Sequence, residues 1–155
     1  MSIPLLTALE DHYNLVEDAA TDPTIDVPGE LNFIPGPGAD LESMIWVLTY
    51  AIMLRYQEGL LGSKKAQYRL KIVDQFFGSL SYSGLVKERR HMAYEGSNPL
   101  ANPPKKWFPD TAQLKWFRRA MTLVAGQFTP FLDSSIKPIT FDAFDALCDE
   151  FITDE

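Results

Sequence analysis

The most hydrophobic stretch of the chain, residues 44–54, directly follows a short acidic segment, Asp40 to Ser43. On a helix, the large side chains of this stretch fall on every side rather than along one stripe. Asp40 is a typical N-cap residue, and Glu42 would add negative charge to the first turn of such a helix. The pattern therefore predicts a helix from Asp40 to about Gln57 that is buried on all sides and surrounded by other helices.

Apolar residues at helical spacing predict further helices along the chain. The patterns, of which the third is the weakest, cover residues 7–20, 63–78, 82–95, 111–132 and 141–152. Thr7 and Thr140 are the expected caps of the first and the last of these helices. Two stretches rich in Pro and Gly, 21–39 and 96–110, predict loops. Because no strand pattern or internal repeat stands out, the expected fold is mainly α, with about five helices in one domain over residues 1–155.

Charge is distributed unevenly along this chain, whose net charge is −7. Residues 1–60 hold one basic and ten acidic groups, residues 61–119 hold twelve basic and four acidic groups, and residues 120–155 hold one basic and seven acidic groups. The basic middle could bind an anionic partner or pair with the acidic ends. The net charge favours internal pairing, because the whole chain repels a polyanion, and nucleic acid is not the expected partner. The candidate anion-binding residues are Lys64, Lys65, Arg69, Arg89 and Arg90.

Candidate catalytic and metal-binding residues are scarce in this sequence. His12 and His91 lack the spacing of metal ligands, and Cys148 lies on the apolar side of a predicted helix. We therefore expect no catalytic residue, no metal and no cofactor. The single cysteine, the lack of a secretory pattern at the N-terminus and the shortness of every apolar run predict an intracellular protein, cytoplasmic or nuclear, without a membrane partner.

Two segments of the sequence resemble motifs of protein kinases. The first reads Asp40-Leu41-Glu42-Ser43, Met44-Ile45, Trp46 and Val47-Leu48. It is similar to the start of the central helix in the C-lobe of fungal-type protein kinases, with casein-kinase-like sequences as a second comparison. The second segment, Ser2 to Glu10, resembles the end of the kinase activation segment, and Ala8-Leu9-Glu10 stands where the family has Ala-Pro-Glu. The likeness continues loosely to the C-terminus and implies the helical C-terminal part of a kinase C-lobe.

The resemblance also implies that the chain lacks the catalytic apparatus of a kinase. The Gly-rich loop, the strand lysine, the catalytic aspartate with its asparagine and the magnesium-binding aspartate all precede the activation-segment glutamate. Nine residues precede Glu10, so the resemblance implies a truncated, catalytically incompetent domain that binds no ATP. By the same resemblance, Glu10 would form a buried ion pair with Arg118 or Arg119. Asp40 would accept hydrogen bonds from a catalytic loop that this sequence does not contain.

The expected function is therefore that of a scaffold or interaction module. A central helix that is apolar on all sides should expose an apolar face when the catalytic half of the lobe is missing. We expect self-association or a protein partner on that face. The alternative is an all-α binding module whose basic middle, residues 61–119, contacts an anionic partner.

Overall fold

In the computed structural model, five helices can be bounded within the described part of the chain. They are α1 (Ile3–Thr21), α2 (Pro37–Glu58), α3 (Tyr82–Ser97), α4 (Thr111–Ala125) and α5 (Phe141–Thr153). The structure describes residues 1–29, 31, 33–34, 36–58, 71, 73–74, 77–78, 81–98, 108, 111–128 and 137–153. No strand occurs among these residues, which confirms a mainly α fold. No helix among them combines the length and the hydrophobicity needed to cross a membrane.

The first helix begins at Ile3, earlier than the start predicted at Thr7. Ser2 is its N-cap, and the Ser2 hydroxyl accepts a hydrogen bond from the backbone amide of Leu5 at 3.4 Å. Pro4 fits the first turn because amides at that position have no partner within the helix. Thr7 lies inside the helix, where its Oγ1 donates to the carbonyl of Ile3 at 3.0 Å.

The first Pro-rich loop is shorter than the sequence predicted, and the second begins later. Helix α1 includes Thr21 and α2 includes residues 37–39, which leaves residues 22–36 as the connection between them. Helix α3 extends to Ser97, and most of the predicted loop 96–110 lies outside the described residues.

The remaining predicted elements are described in part. Of the predicted helix 63–78, the described residues 71, 73, 74 and 77 are helical, and residues 63–70 lie outside the described part. Thr140 caps α5 as predicted, because its Oγ1 accepts a hydrogen bond from the backbone amide of Ala143 at 3.2 Å.

The core of the described chain lies between α1, α3 and α4. The most extensive helix contact joins α3 to α4, and the next joins α1 to α3. Met92 and Ala93 of α3 are fully buried there, as are Phe117 and Met121 of α4. A Cβ atom at Gly96 would lie only 2.5 Å from Met121 Cγ. The lack of a side chain at Gly96 therefore allows α3 and α4 to lie this close together.

Helix α2 begins at Pro37, three residues before the predicted cap. Asp40 is therefore not an N-cap; it is exposed in the first turn, and its amide donates to the carbonyl of Gly36 at 3.4 Å. Proline suits the first helical position because no intrahelical hydrogen bond is lost there. Glu42 lies beyond the first turn and is buried, so it does not add charge to the start of the helix.

The prediction that α2 is buried on all sides is wrong. Its inner face buries Leu41, Ile45, Trp46 and Met53. Its opposite face exposes Met44, Val47, Leu48 and Ala51. Among the bounded helices, α2 contacts α1 and α4 far less extensively than α3 contacts α4. Helix α2 therefore lies at the edge of the described bundle, with apolar residues on both its inner and its outer side.

Candidate functional site

A buried carboxylate, Glu42 of α2, lies where the start of α1 meets the turn after α4. None of its surface is exposed. Its Oε1 accepts hydrogen bonds from the backbone amide of Ile3 and from Trp46 Nε1, each at 2.8 Å. Its Oε2 accepts from Gln127 Nε2 at 2.9 Å. These three donors replace the water that the carboxylate loses on burial.

The second buried charge of the site is Arg89 of α3, of which 8% is exposed. Its guanidinium carbon lies 5.1 Å from the ring centroid of Trp46 and 5.8 Å from that of Phe77. Its Nη1 donates to the carbonyl of Met1, whereas its buried Nε has no hydrogen-bond acceptor. Because aromatic faces attract cations, Trp46 and Phe77 stabilise the largely buried guanidinium.

Glu42 and Arg89 affect each other's ionisation. Burial raises the pKa of Glu42, while its three hydrogen-bond donors and the charge of Arg89 act in the opposite direction. Burial also lowers the pKa of Arg89, which the charge of Glu42 opposes. The pKa of the Met1 α-amino group is lowered by burial and then by the charge of Arg89. Burying either charge alone would carry a large desolvation cost, and the opposite charge of the other residue lowers that cost.

The raised pKa of Glu42 predicts a pH dependence of stability. In the unfolded chain this carboxyl ionises near its ordinary pKa of 4.5, whereas the folded protein retains the proton to higher pH. Between these two pKa values the folded state binds more protons. The contribution of Glu42 to the free energy of unfolding is therefore fully present below the unfolded pKa and falls as pH rises through the folded pKa. Urea unfolding across this window should show the fall in the wild type and not in Glu42→Gln. An equal fall in both proteins would contradict the assignment.

A pocket of about 310 Å³ opens beside Arg89. Its apolar and aromatic walls are formed by Trp46, Val47, Tyr50, Val73 and Phe77. Its polar lining is provided by Met1, Asp74 and Arg89. The rings of Tyr50 and Phe77 lie 5.1 Å apart on one wall. The pocket is therefore a mainly apolar cavity with a few polar groups, which is the usual composition of a binding site.

The outer face of α2, defined as Met44, Val47, Leu48 and Ala51, continues from this pocket. Their spacing of three, four and seven residues from Met44 aligns them along two turns of the helix. Val47 is 64% exposed, Met44 51% and Leu48 37%. Val47 also lines the pocket, so the face and the pocket form one uncovered apolar surface.

The ion pair that the resemblance implies between Glu10 and Arg118 or Arg119 stays a prediction. Glu10 is half-buried and lines a separate pocket of about 330 Å³ between α1 and the start of α3. Arg118 is half-buried and Arg119 is exposed. The charges that the structure brings together in its interior are those of Glu42 and Arg89.

The other residues of the kinase-like motifs pack or form hydrogen bonds within α1 and α2. Ala8 and Leu9 are half-buried within α1, and Leu41 is buried in the core. The hydroxyl of Ser43 donates to the carbonyl of Ala39 at 3.0 Å, one turn earlier in α2. Among Ala8 to Glu10 and Asp40 to Ser43, Glu42 is the one residue that belongs to the buried cluster with Arg89.

Of the five candidate anion-binding residues, the structure describes Arg89 and Arg90. Lys64, Lys65 and Arg69 lie outside the described residues. Arg89 is only 8% exposed and lines the pocket beside Trp46, which corrects its prediction as a surface cation. Arg90 is exposed, and its guanidinium carbon lies 5.9 Å from the ring centroid of Phe128. Consecutive residues of a helix point in directions about 100° apart, which explains why the two arginines separate.

Within the described ranges, no three His, Cys, Asp or Glu side chains are grouped so that they could hold a metal ion. Cys148 is half-buried in α5, and its thiol pKa is raised by burial and by the charges of Asp145 and Asp149. A nucleophilic cysteine needs the opposite shift.

Sequence reasoning missed that Glu42 and Arg89 lie together, with Ile3 and Gln127 completing the site. The hydrogen bonds to Glu42 from Ile3 and Gln127 span 39 and 85 residues of the chain. The one contact that the sequence could have indicated is that from Trp46, which stands four residues after Glu42 and therefore on the same side of the helix.

Comparisons with protein-family models, with curated proteins and with solved structures found no match to this chain. The likeness to kinases therefore rests on the two sequence segments around Glu10 and Asp40. The described residues form a helical protein. It has a buried cluster of Glu42 and Arg89 and an exposed apolar face on α2.

Proposed function

We propose that this chain is a non-catalytic interaction module, built on a helical unit of the kind found in the C-lobe of fungal-type protein kinases. The observation that carries the proposal is the outer face of α2, where Val47 and Met44 each expose more than half of their surface. Burying such a face is favourable by roughly 25 cal/mol per Å² of apolar area. The complex with a polypeptide that covers the outer face would be stabilised by this burial of apolar area.

The kinase-like part of the proposal is supported by a contact between the two resembling segments. Ile3, from the segment Ser2 to Glu10, donates its amide hydrogen bond to Glu42, from the segment Asp40 to Ser43. Segments 39 residues apart in the chain are thus joined in the interior.

The non-catalytic part is supported by the environment of Glu42. Both of its carboxyl oxygens already accept hydrogen bonds from protein donors, and none of its surface reaches solvent. A general acid or base must be within hydrogen-bond reach of a substrate. Glu42 is therefore a structural group that holds α1, α2 and the Gln127 turn together.

The test of this proposal is whether the outer face binds apolar probes in the folded protein. An anilinonaphthalene dye, whose fluorescence increases on apolar surfaces, should bind the dilute wild-type chain. Val47→Asp should remove most of this fluorescence, because it places a carboxylate in the centre of the face. Since Val47 is 64% exposed, the variant should keep its free energy of unfolding within about 0.5 kcal/mol.

The matched control is Val16→Asp, the same chemical change at a valine of α1 that is 46% exposed. This variant should retain the dye signal of the wild type. If Val47→Asp and Val16→Asp bind the dye as well as the wild type does, the outer face is not a binding surface and the proposal fails.

A further inference from the structure

We infer that the occupant of the outer face is a second copy of this chain, packed with its α2 antiparallel to the first. This inference rests on the proposed function, since it names the partner of the same face. It follows from the spacing of the exposed residues along α2, from their charges and from the area that they offer.

The spacing of the outer face makes it complementary to itself. In an antiparallel pair centred between Val47 and Leu48, each Val47 lies opposite Leu48 of the other copy. The same register sets Met44 opposite Ala51, so a long side chain meets a short one at both ends. A twofold axis requires such a reciprocal arrangement, in which the same patch is used by both copies.

The charges along α2 favour the antiparallel direction. A parallel pair would place two exposed Asp40 side chains at the same end and would align the two helix dipoles. The antiparallel register instead places the two Asp40 side chains at opposite ends of the contact and sets the helix dipoles against each other.

The area of the face sets the expected strength of the dimer. Standard complexes bury about 800 Å² on each partner, and a face of two helical turns extends over only about 11 Å of the helix axis. The adjoining pocket wall at Tyr50, which is 39% exposed, adds to the contact. We expect a weak dimer whose population rises with concentration.

Light scattering and sedimentation test the association. The wild-type mass should rise from monomer towards dimer as the concentration increases to about 100 µM. Val47→Asp should weaken the association by about tenfold or more, because it buries two carboxylates per dimer against apolar surface. Val16→Asp, the control on α1, should associate like the wild type.

Disulfide trapping tests the direction of the helices. Two proteins that differ in size through a tag, each with Cys148→Ser, carry Met44→Cys and Ala51→Cys respectively. When they are mixed and mildly oxidised, the antiparallel register predicts mainly the mixed 44–51 disulfide. A parallel pair would instead give 44–44 and 51–51 disulfides, and that result would overturn the inference.

The two levels of the proposal can fail separately. A chain that stays monomeric while its dye binding depends on Val47 would overturn the second copy as occupant and leave the outer face as a surface for another protein. A monomeric chain whose dye binding does not depend on Val47 would overturn both the dimer and the outer face as a binding surface.

Discussion

Replacing Glu42 with alanine is expected to lower the free energy of unfolding by roughly 3–5 kcal/mol, because three hydrogen-bond donors lose their buried acceptor at a cost of about 1–3 kcal/mol each. The change removes the acceptor of three hydrogen-bond donors at 2.8–2.9 Å. It also leaves Arg89, of which 8% is exposed, without the opposing charge nearby. The cost is large because the remaining charge stays desolvated. Urea unfolding followed by circular dichroism measures the loss.

Two further variants separate hydrogen bonding from charge at this site. Glu42→Gln retains an oxygen that can accept from Ile3 and Trp46, so its loss should be smaller, roughly 1–3 kcal/mol. Glu42→Gln combined with Arg89→Met removes both charges, and the double variant should be more stable than the sum of the single losses predicts. A loss below about 1 kcal/mol for Glu42→Ala would show that these contacts do not hold the fold together.

The helical class was predictable because it depends on local spacing of apolar residues. The last predicted helix, residues 141–152, and its cap at Thr140 depend on neighbours in sequence, and the cap is confirmed by the hydrogen bond from Ala143. The starts of α1 and α2 were less predictable. In both, a proline near the first turn allowed the helix to begin before the residue that looked like the cap, Thr7 in one and Asp40 in the other.

The interior of the site was not predictable from the same patterns. Glu42 looked like a charge at the start of a helix, and Arg89 looked like one member of a basic surface cluster. The burial of Glu42 depends on the start of α1 and the turn after α4, and that of Arg89 on its contact with Trp46, none of which local spacing encodes. A charged residue is rarely buried unless it is paired, so without the pairing the sequence favoured the surface for both residues.

The two sides of α2 show the same limit. Ile45 and Val47 have similar chemistry, yet Ile45 is fully buried and Val47 is 64% exposed. The sequence shows that both sides of the helix are apolar, and it does not show which side the rest of the chain covers. The proposals for the outer face of α2 depend on this difference, which only the structure supplies.

Replacing Gly96 with alanine is the second change expected to have a large effect on stability. The new Cβ would lie 2.5 Å from Met121 Cγ, 2.8 Å from Met121 Cβ and 3.0 Å from Phe117 Cε1. Both neighbours are fully buried, so α3 and α4 must separate or repack. Overpacking of this kind costs roughly 1–3 kcal/mol. The higher helix propensity of alanine, worth at most about 1 kcal/mol, offsets only part of this cost near the helix end.

A matched glycine and a second variant decide whether contact with α4 causes the loss. Gly29→Ala adds the same methyl group where no heavy atom lies within 4 Å, and it should leave the free energy of unfolding almost unchanged. Met121→Ala should cost less in the Gly96→Ala background than in the wild type, because it removes Cγ, the atom nearest to the added methyl group. If Gly96→Ala is as stable as the wild type, α3 and α4 do not lie as close as described, because side chains at this distance cannot be accommodated without movement of one helix.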